Sequence, residues 1–427
     1  MERHLGNIET AWVLAGRFAP LTVAGVLRLG GAPPLERVRA SLDGLQQHHR
    51  LLQARITRRR GRYSFEVTAD VSPIPLDVVE RRDADHWREV ATAVLNQRLD
   101  LETGPLLRCV YLHDDAGTDG DIVFAYDHSV LDATSAAHVY EQFLTWCQGP
   151  PPAAPSVAPP LPPPIDDLLP ARLRGRARIA PKTAFLRRQV ADELAFRRAT
   201  RGRSDAVRPE ARCHLVTRSL DSTATDELVR RARRHRLTTN SVIGAAMLVA
   251  AHRHLRGDAG RLPMRAITFA DLRSDLEPPP APDVLGCYIS MMRFTVPVGP
   301  DDDLWTAAAA YQAQVRAAWE HDEHLLSATV AKQLVRMSTT IKRMRIGSTA
   351  HSYAGGLGLA ERYGEIELID VHGFISNNRV GPLVTAFVKI NRGALSWDFV
   401  FLDTDFDEAT AERIADTVCD GLVEAAA

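Results

Sequence analysis

The stretch Gly149-Pro-Pro-Pro-Ala-Ala-Pro-Ser-Val-Ala-Pro-Pro-Leu-Pro-Pro-Pro164 constrains the fold more than any other feature. Proline carries no backbone N–H and fixes φ, so such a run forms neither a helix interior nor an inner strand. It reads as an extended, semi-rigid connector. A polar, arginine-rich segment follows it, with one expected helix near Lys182 to Thr200. The chain therefore divides into residues 1–150, a connector over 151–210 and a second half over 211–427.

The two halves are written in the same style. In the first, Leu35, Val38, Leu42 and Leu45 recur at helical spacing. Residues 86–98 read as a second helix. Leu106 to Leu112 and Asp121 to Tyr126 read as buried strands, being rich in β-forming residues. Ala133 to Trp146 is again helical. In the second half, Cys213 to Leu220 reads as a strand and Thr223 to His235 as a helix. Thr239-Asn240 can cap the helix that follows. Further strands are expected at 264–270, 286–294, 366–376, 383–391 and 395–402. Strands mixed with helices on both sides of the connector point to two layered α/β domains.

Composition narrows the function. Of 427 residues, 45% are hydrophobic and 25% charged, and the net charge is −1. A near-neutral chain lacks the basic excess of nucleic-acid binders. The arginine clusters Arg58 to Arg60 and Arg230 to Arg236 read as solvated faces, with phosphate or an acidic carrier protein as the alternative partner. Five scattered cysteines give no metal-ligand spacing, so no metal is expected, and they fit reduced thiols in a cytoplasmic protein. No signal-like N-terminus and no apolar run of ~20 residues argue for a secreted or membrane-spanning chain.

His128 stands where an apolar strand ends and a helix begins, a position that commonly carries function. Asp132 follows four residues later. This HxxxD pattern is weak alone, since His254 and Asp258 repeat it at the polar end of a helix. The bland readings are a histidine closing a strand and an aspartate capping a helix. Ser129 is the chain neighbour of His128, so their side chains point apart and do not form a nucleophile pair.

Four ordered stretches resemble the condensation-domain superfamily, which includes chloramphenicol-acetyltransferase-like folds. Gln47-His-His-Arg-Leu-Leu-Gln-Ala-Arg55 resembles that group's "RHxxLR" helix end. Leu99-Asp-Leu-Glu-Thr-Gly-Pro-Leu-Leu-Arg108 resembles "FDLxxGPLLR" and is the most specific. Asp127-His-Ser-Val-Leu-Asp-Ala133 resembles "HHxxxDG", and Leu285-Gly-Cys-Tyr-Ile-Ser-Met-Met-Arg293 resembles "VGxFVNTLPLR". Weaker echoes are Phe269-Ala-Asp-Leu-Arg273, His321-Asp-Glu-His324 and Ser376-Asn-Asn-Arg-Val-Gly381. Stand-alone polyketide-associated acyltransferases of the phthiocerol dimycocerosyl transferase type are the most similar. Two departures stand out: Asp127 replaces the first histidine and Ala133 replaces the glycine. The "DFGWG" of plant-type relatives is absent.

The resemblance implies two chloramphenicol-acetyltransferase-like halves in a V shape with a tunnel between them. It implies an acyltransferase that uses a thioester, either acyl-CoA or a phosphopantetheine-bound acyl chain on a carrier protein, with no further cofactor. The acceptor would be a small-molecule alcohol or amine. His128 would be the general base, with an imidazole pKa of ~6.5 suited to the task. Ser376, Asn377 and backbone N–H groups near His128 are the oxyanion-donor candidates, against ordinary turn chemistry for the first two. Asp132 would shape the site with Arg273 as its ion-pair partner. Asp127, Ala133, Cys287, Tyr288 and Ser290 would line the tunnel. His351 and Tyr353 would shape the acceptor side, or else lie in a glycine-rich surface loop. The rival functions are an inactive docking module for carrier proteins or tailoring enzymes, and a carrier-bound epimerase or cyclase.

Overall fold

A computed structural model describes residues 1–68, 70–114, 117–155, 159–200, 211–257, 259–299, 301–340 and 345–426. Up to the proline-rich segment run β1 (Glu2–His4), α1 (Asn7–Gly16), β2 (Thr22–Gly30), α2 (Leu35–His48), β3 (Ala54–Arg59) and β4 (Arg62–Val67). Then come β5 (Leu76–Glu80), α3 (His86–Leu95), β6 (Leu107–His113), β7 (Asp119–Asp127) and α4 (Ala133–Cys147). Beyond the segment come α5 (Ile165–Leu168), α6 (Ile179–Ala199), β8 (Cys213–Leu220), α7 (Ser222–Arg234), α8 (Thr239–Arg256), β9 (Leu262–Asp271) and β10 (Ile289–Val298). The chain closes with α9 (Leu304–Glu320), α10 (Glu323–Ala328), α11 (Ala331–Thr340), β11 (Thr349–Gly356), β12 (Arg362–Tyr363), β13 (Ile366–Ile375), β14 (Val384–Asn391), β15 (Ala394–Leu402) and α12 (Glu408–Ala426).

Two compact units result. The first holds residues 1–168, 280–288 and 356–376, and the second holds 169–279, 289–355 and 377–427. The division thus differs from a cut at the connector. The physical reason is strand pairing: β13 hydrogen-bonds to β2 along Glu367↔Gly30 to Ile375↔Val23, which carries a late segment into the first unit.

The first unit is built on a six-stranded sheet of order β12-β13-β2-β7-β6-β5, with a three-stranded sheet β1-β4-β3 beside it. β7 is buried along nearly its whole length, which explains its continuous apolar run. One face of the sheet meets α4: Phe124 of β7 stacks on Tyr140 and sits edge-on to Phe143. Burying side chains of this size contributes about 1.5–3 kcal/mol each. Gly25 of β2 makes that face possible, since a Cβ there would lie 1.7 Å from the Tyr140 hydroxyl. The opposite face meets α3, whose Trp87 stacks on His372 of β13 at 4.4 Å.

The second unit repeats the plan with a six-stranded sheet of order β10-β9-β11-β14-β15-β8. Lys389 and Asp398, on the paired strands β14 and β15, form a fully buried ion pair at 3.3 Å. Arg265 of β9 anchors α6 through Asp192 at 3.1 Å and Glu193 at 2.7 Å.

Several expected boundaries shift. The helix expected over 86–98 stops at Leu95, where Asn96 turns back onto Thr92 O. The strand expected over 286–294 begins only at Ile289, because the residues before it are held by α4 rather than by β9. Thr238, not Thr239 or Asn240, caps α8, its hydroxyl accepting from Ser241 N at 3.2 Å. The glycine-rich stretch around His351 is strand β11, not a loop, because it pairs in parallel with β9. Among the described residues, no helix is long and apolar enough to cross a membrane.

Candidate active site

β7 ends at Asp127, paired with Thr22, and the chain turns directly into α4. Asp127 shapes the turn, its Oδ1 accepting from Ser129 N at 2.9 Å and its carbonyl from Val130 N at 3.1 Å. Burial pushes its carboxyl group above the usual carboxylate range.

His128 follows at the apex. Its Nδ1 lies 2.9 Å from the carbonyl oxygen of Leu131. A carbonyl only accepts, so Nδ1 carries the proton and Nε2 presents its lone pair. Among the described residues, Nε2 has no hydrogen-bond partner. Burial lowers the imidazole's pKa below its ordinary value, against the opposing pull of Asp132 and then Asp127. The ring is therefore neutral at neutral pH, which is the state a general base requires.

Asp132 is fully buried and is the N-cap of α4, with Oδ1 accepting from Ser135 N at 2.9 Å. Its Oδ2 accepts from Tyr288 N at 2.8 Å. The 285–288 segment is held a second time through Gly286 O, which accepts from Asp132 N at 3.2 Å and from the Ser135 hydroxyl at 3.0 Å. Asp132 thus ties together the turn after His128, the start of α4 and the Cys287-Tyr288 segment. Ala133 is the first residue of α4 in ordinary helical conformation, a position that does not require glycine. Asp127 also lines a cleft of about 280 Å³ together with Val13, Thr22, Ile56, Tyr63 and Leu101.

The remaining sequence candidates take the following places. The Ser376 hydroxyl lies 2.9 Å from Thr22 O and 2.6 Å from Leu95 O, and accepts from Thr22 N at 3.0 Å. Its one proton is thereby engaged in joining β13 to β2, so Ser376 is not an oxyanion donor as placed. The N–H groups of Ser129, Val130 and Asp132 are likewise committed. Asn377 belongs to the second unit, where its side chain donates to Pro382 O at 2.7 Å and accepts from Asn378 N at 2.8 Å, which is turn chemistry.

His351, in the second unit, is 1% exposed and bonds Asn240 Oδ1 at 2.7 Å. Burial lowers its pKa to about 4. It is a core histidine of that unit rather than part of a loop, and Tyr353 is half-buried on the same strand. Ser290 is buried on β10, and Arg273 donates to Asp271 at 2.9 Å, both in the second unit. His254 lies in the last turn of α8, bonded to Thr417 Oγ1 at 2.7 Å, and Asp258 lies outside the described residues.

Sequence reasoning missed Trp12 on α1, whose ring lies 4.4 Å from that of His128. The available signal was faint: Ile8, Ala11, Trp12 and Ala15 share one helical face.

The chain has a mixed α/β fold of two six-stranded units, the fold of solved condensation-domain and chloramphenicol-acetyltransferase-like structures. Residues 209–377 match the family described as "Phthiocerol/phthiodiolone dimycocerosyl transferase C-terminus". Polyketide synthase associated protein 5 from Mycobacterium tuberculosis is similar at 18% identity and TM-score 0.67, with 99% of this chain and 98% of that one covered. A trichothecene 15-O-acetyltransferase from Fusarium sporotrichioides is similar at 12% identity and TM-score 0.76, covering 99% and 95%. The epimerization domain from the third module of tyrocidine synthetase B is similar at 15% identity and TM-score 0.66, covering 100% and 96%. No curated relative matches by sequence.

Proposed function

We propose that this protein transfers an acyl group from a thioester, on coenzyme A or a carrier protein, to a hydroxyl or amine, with His128 as general base. One observation carries the reading: the His128 imidazole is held by Nδ1 and leaves Nε2 available at the end of a rigid strand. The family match and the fold of the similar structures support it.

The chemistry follows from the tautomer. Nε2 accepts the proton of the acceptor's O–H or N–H as that atom attacks the thioester carbonyl. The carbonyl becomes a tetrahedral oxyanion, which collapses with cleavage of the C–S bond. The proton held on Nε2 then passes to the leaving thiolate, and imidazole is restored. The products are an ester or amide and a free thiol. Because the thioester is already activated, no covalent acyl-enzyme is needed.

Thiol release tests the reading directly, with acyl-CoA and acyl-carrier donors against a panel of alcohols and amines. Acceptor-dependent thiol release that His128→Ala abolishes is the expected result. A folded His128→Ala protein as fast as wild type would sink the assignment. Tight binding of a carrier protein without turnover on any donor would favour the docking reading, and loss of stereochemistry in a carrier-bound chain without transfer would favour an epimerase.

A further inference from the structure

Helix α1 is anchored at its N-terminal end. Arg3 grips Glu9 with both guanidinium ends, at 2.8 and 2.6 Å, and Gly6 N donates to the same carboxylate at 2.7 Å. Asn7 N donates to Asp166 Oδ2 at 2.7 Å. Ile8, Ala11 and Val13 are buried. Trp12, by contrast, is only half-buried and turns toward the HxxxD turn. Its indole lies on the His128 imidazole with centroids 4.4 Å apart and planes 10° from parallel. Its Nε1–H donates to Cys287 Sγ at 3.3 Å, in the segment that Asp132 holds through Tyr288 N.

The bond from Nδ1 to Leu131 O fixes one end of the imidazole but does not by itself set the tilt of the ring. A flat partner on one face sets it. The indole is itself fixed in rotation by the Cys287 thiol. An indole face also carries negative π density, which attracts a cation more than a neutral ring. His128 is neutral before proton transfer and cationic after it. The stack therefore favours the state that develops in the transition state, which is how an interaction raises kcat rather than only tightening binding.

We infer that Trp12 is a positioning residue for His128: its indole, braced by Cys287, sets the imidazole plane and stabilises the imidazolium formed during acyl transfer. This rests on His128 being the base. Among the described residues, the charged and titratable groups acting on the pair are Asp132 at the α4 cap, Asp127 at the end of β7 and the Cys287 thiol.

Two variants and one spectroscopic signal test it. Trp12→Leu keeps an apolar cover over the imidazole and removes the π-face. It should lower kcat about tenfold with KM nearly unchanged, a loss typical of one cation–π contact. It should also move the acid limb of the kcat/KM profile to lower pH, because the imidazolium loses a stabilising partner. Trp12→Phe keeps a ring and should stay within about threefold of wild type. Matching circular-dichroism melts exclude a folding defect.

Trp12 emission, taken as wild type minus Trp12→Phe, should change in one step below the ordinary imidazole value of ~6.5, since a stacked imidazolium quenches indole. The step should vanish in His128→Ala. Emission that stays flat, or that titrates unchanged in His128→Ala, overturns the stack. Wild-type kcat and an unmoved acid limb in Trp12→Leu overturn the positioning role. The titration needs no turnover, so an active His128→Ala enzyme would remove the base assignment without deciding the stack.

Discussion

The chain writes HxxxD twice, and the two copies contrast at the level of backbone. In the first unit His128 closes a buried strand and Asp132 opens the next helix. The aspartate becomes an N-cap with both oxygens engaged, and the histidine is left at the apex of the turn. In the second unit His254 sits inside α8, with its nitrogen bonded to Thr417 and its basicity lowered by burial and by Arg413 and Arg253. His254 lies within a helix, and the aspartate of its motif is outside the described residues. In the first copy the spacing across a strand–helix junction separates the two roles into an outward group and an inward anchor. The sequence pattern is therefore indifferent, and the element boundary gives it meaning.

The largest expected difference between the copies is catalytic. His128→Ala should lower kcat by about 10²–10⁴, the usual contribution of a positioned base, whereas His254→Ala should leave the rate near wild type. Thiol-release kinetics on both variants decide it, and equal losses would erase the contrast. Next comes stability. Asp132→Ala removes the cap of α4 and strands Tyr288 N, and should cost about 2 kcal/mol or more in a urea melt. Asp132→Asn keeps an acceptor and should cost less.

A third difference separates His128 from His351, the core histidine of the second unit. Burial lowers the His351 pKa from 6.5 to about 4. Its neutral form is favoured in the fold, so unfolded chains bind more protons below pH 6.5. Stability is then full above that value and falls as pH drops toward 4, by about 2 kcal/mol at pH 5. His351→Gln should flatten that slope in equilibrium melts between pH 7 and 5, and a slope unchanged by the substitution would count against it. The smallest effect is a position on the pH axis. With its pKa lowered, His128 should keep the acid limb of kcat/KM below the ordinary imidazole value, measured by initial rates.

Much of the fold was legible from residue pattern. Strands such as Asp119–Asp127 and Cys213–Leu220 emerge at or near their expected bounds, the first because its apolar composition and its burial agree. β2 was not legible. Its glycines resemble loop residues, yet Gly25 is there so that Tyr140 can lie against the sheet. α1 was missed because its amphipathic face is short, and it earned no motif. His128 and Asp132 stood out by position, but Ser376 did not reveal that Thr22 and Leu95 would occupy its hydroxyl.

The sequence by itself determined the alternating strands and helices, the ordered motif blocks and the histidine at a strand end. These depend on contacts between near neighbours, where side-chain period and backbone conformation are coupled. Only the tertiary structure decided which late segments join the first unit and which ring lies on His128. Those follow from pairings across hundreds of residues, β13 with β2 and Trp12 with Cys287, which no local pattern encodes.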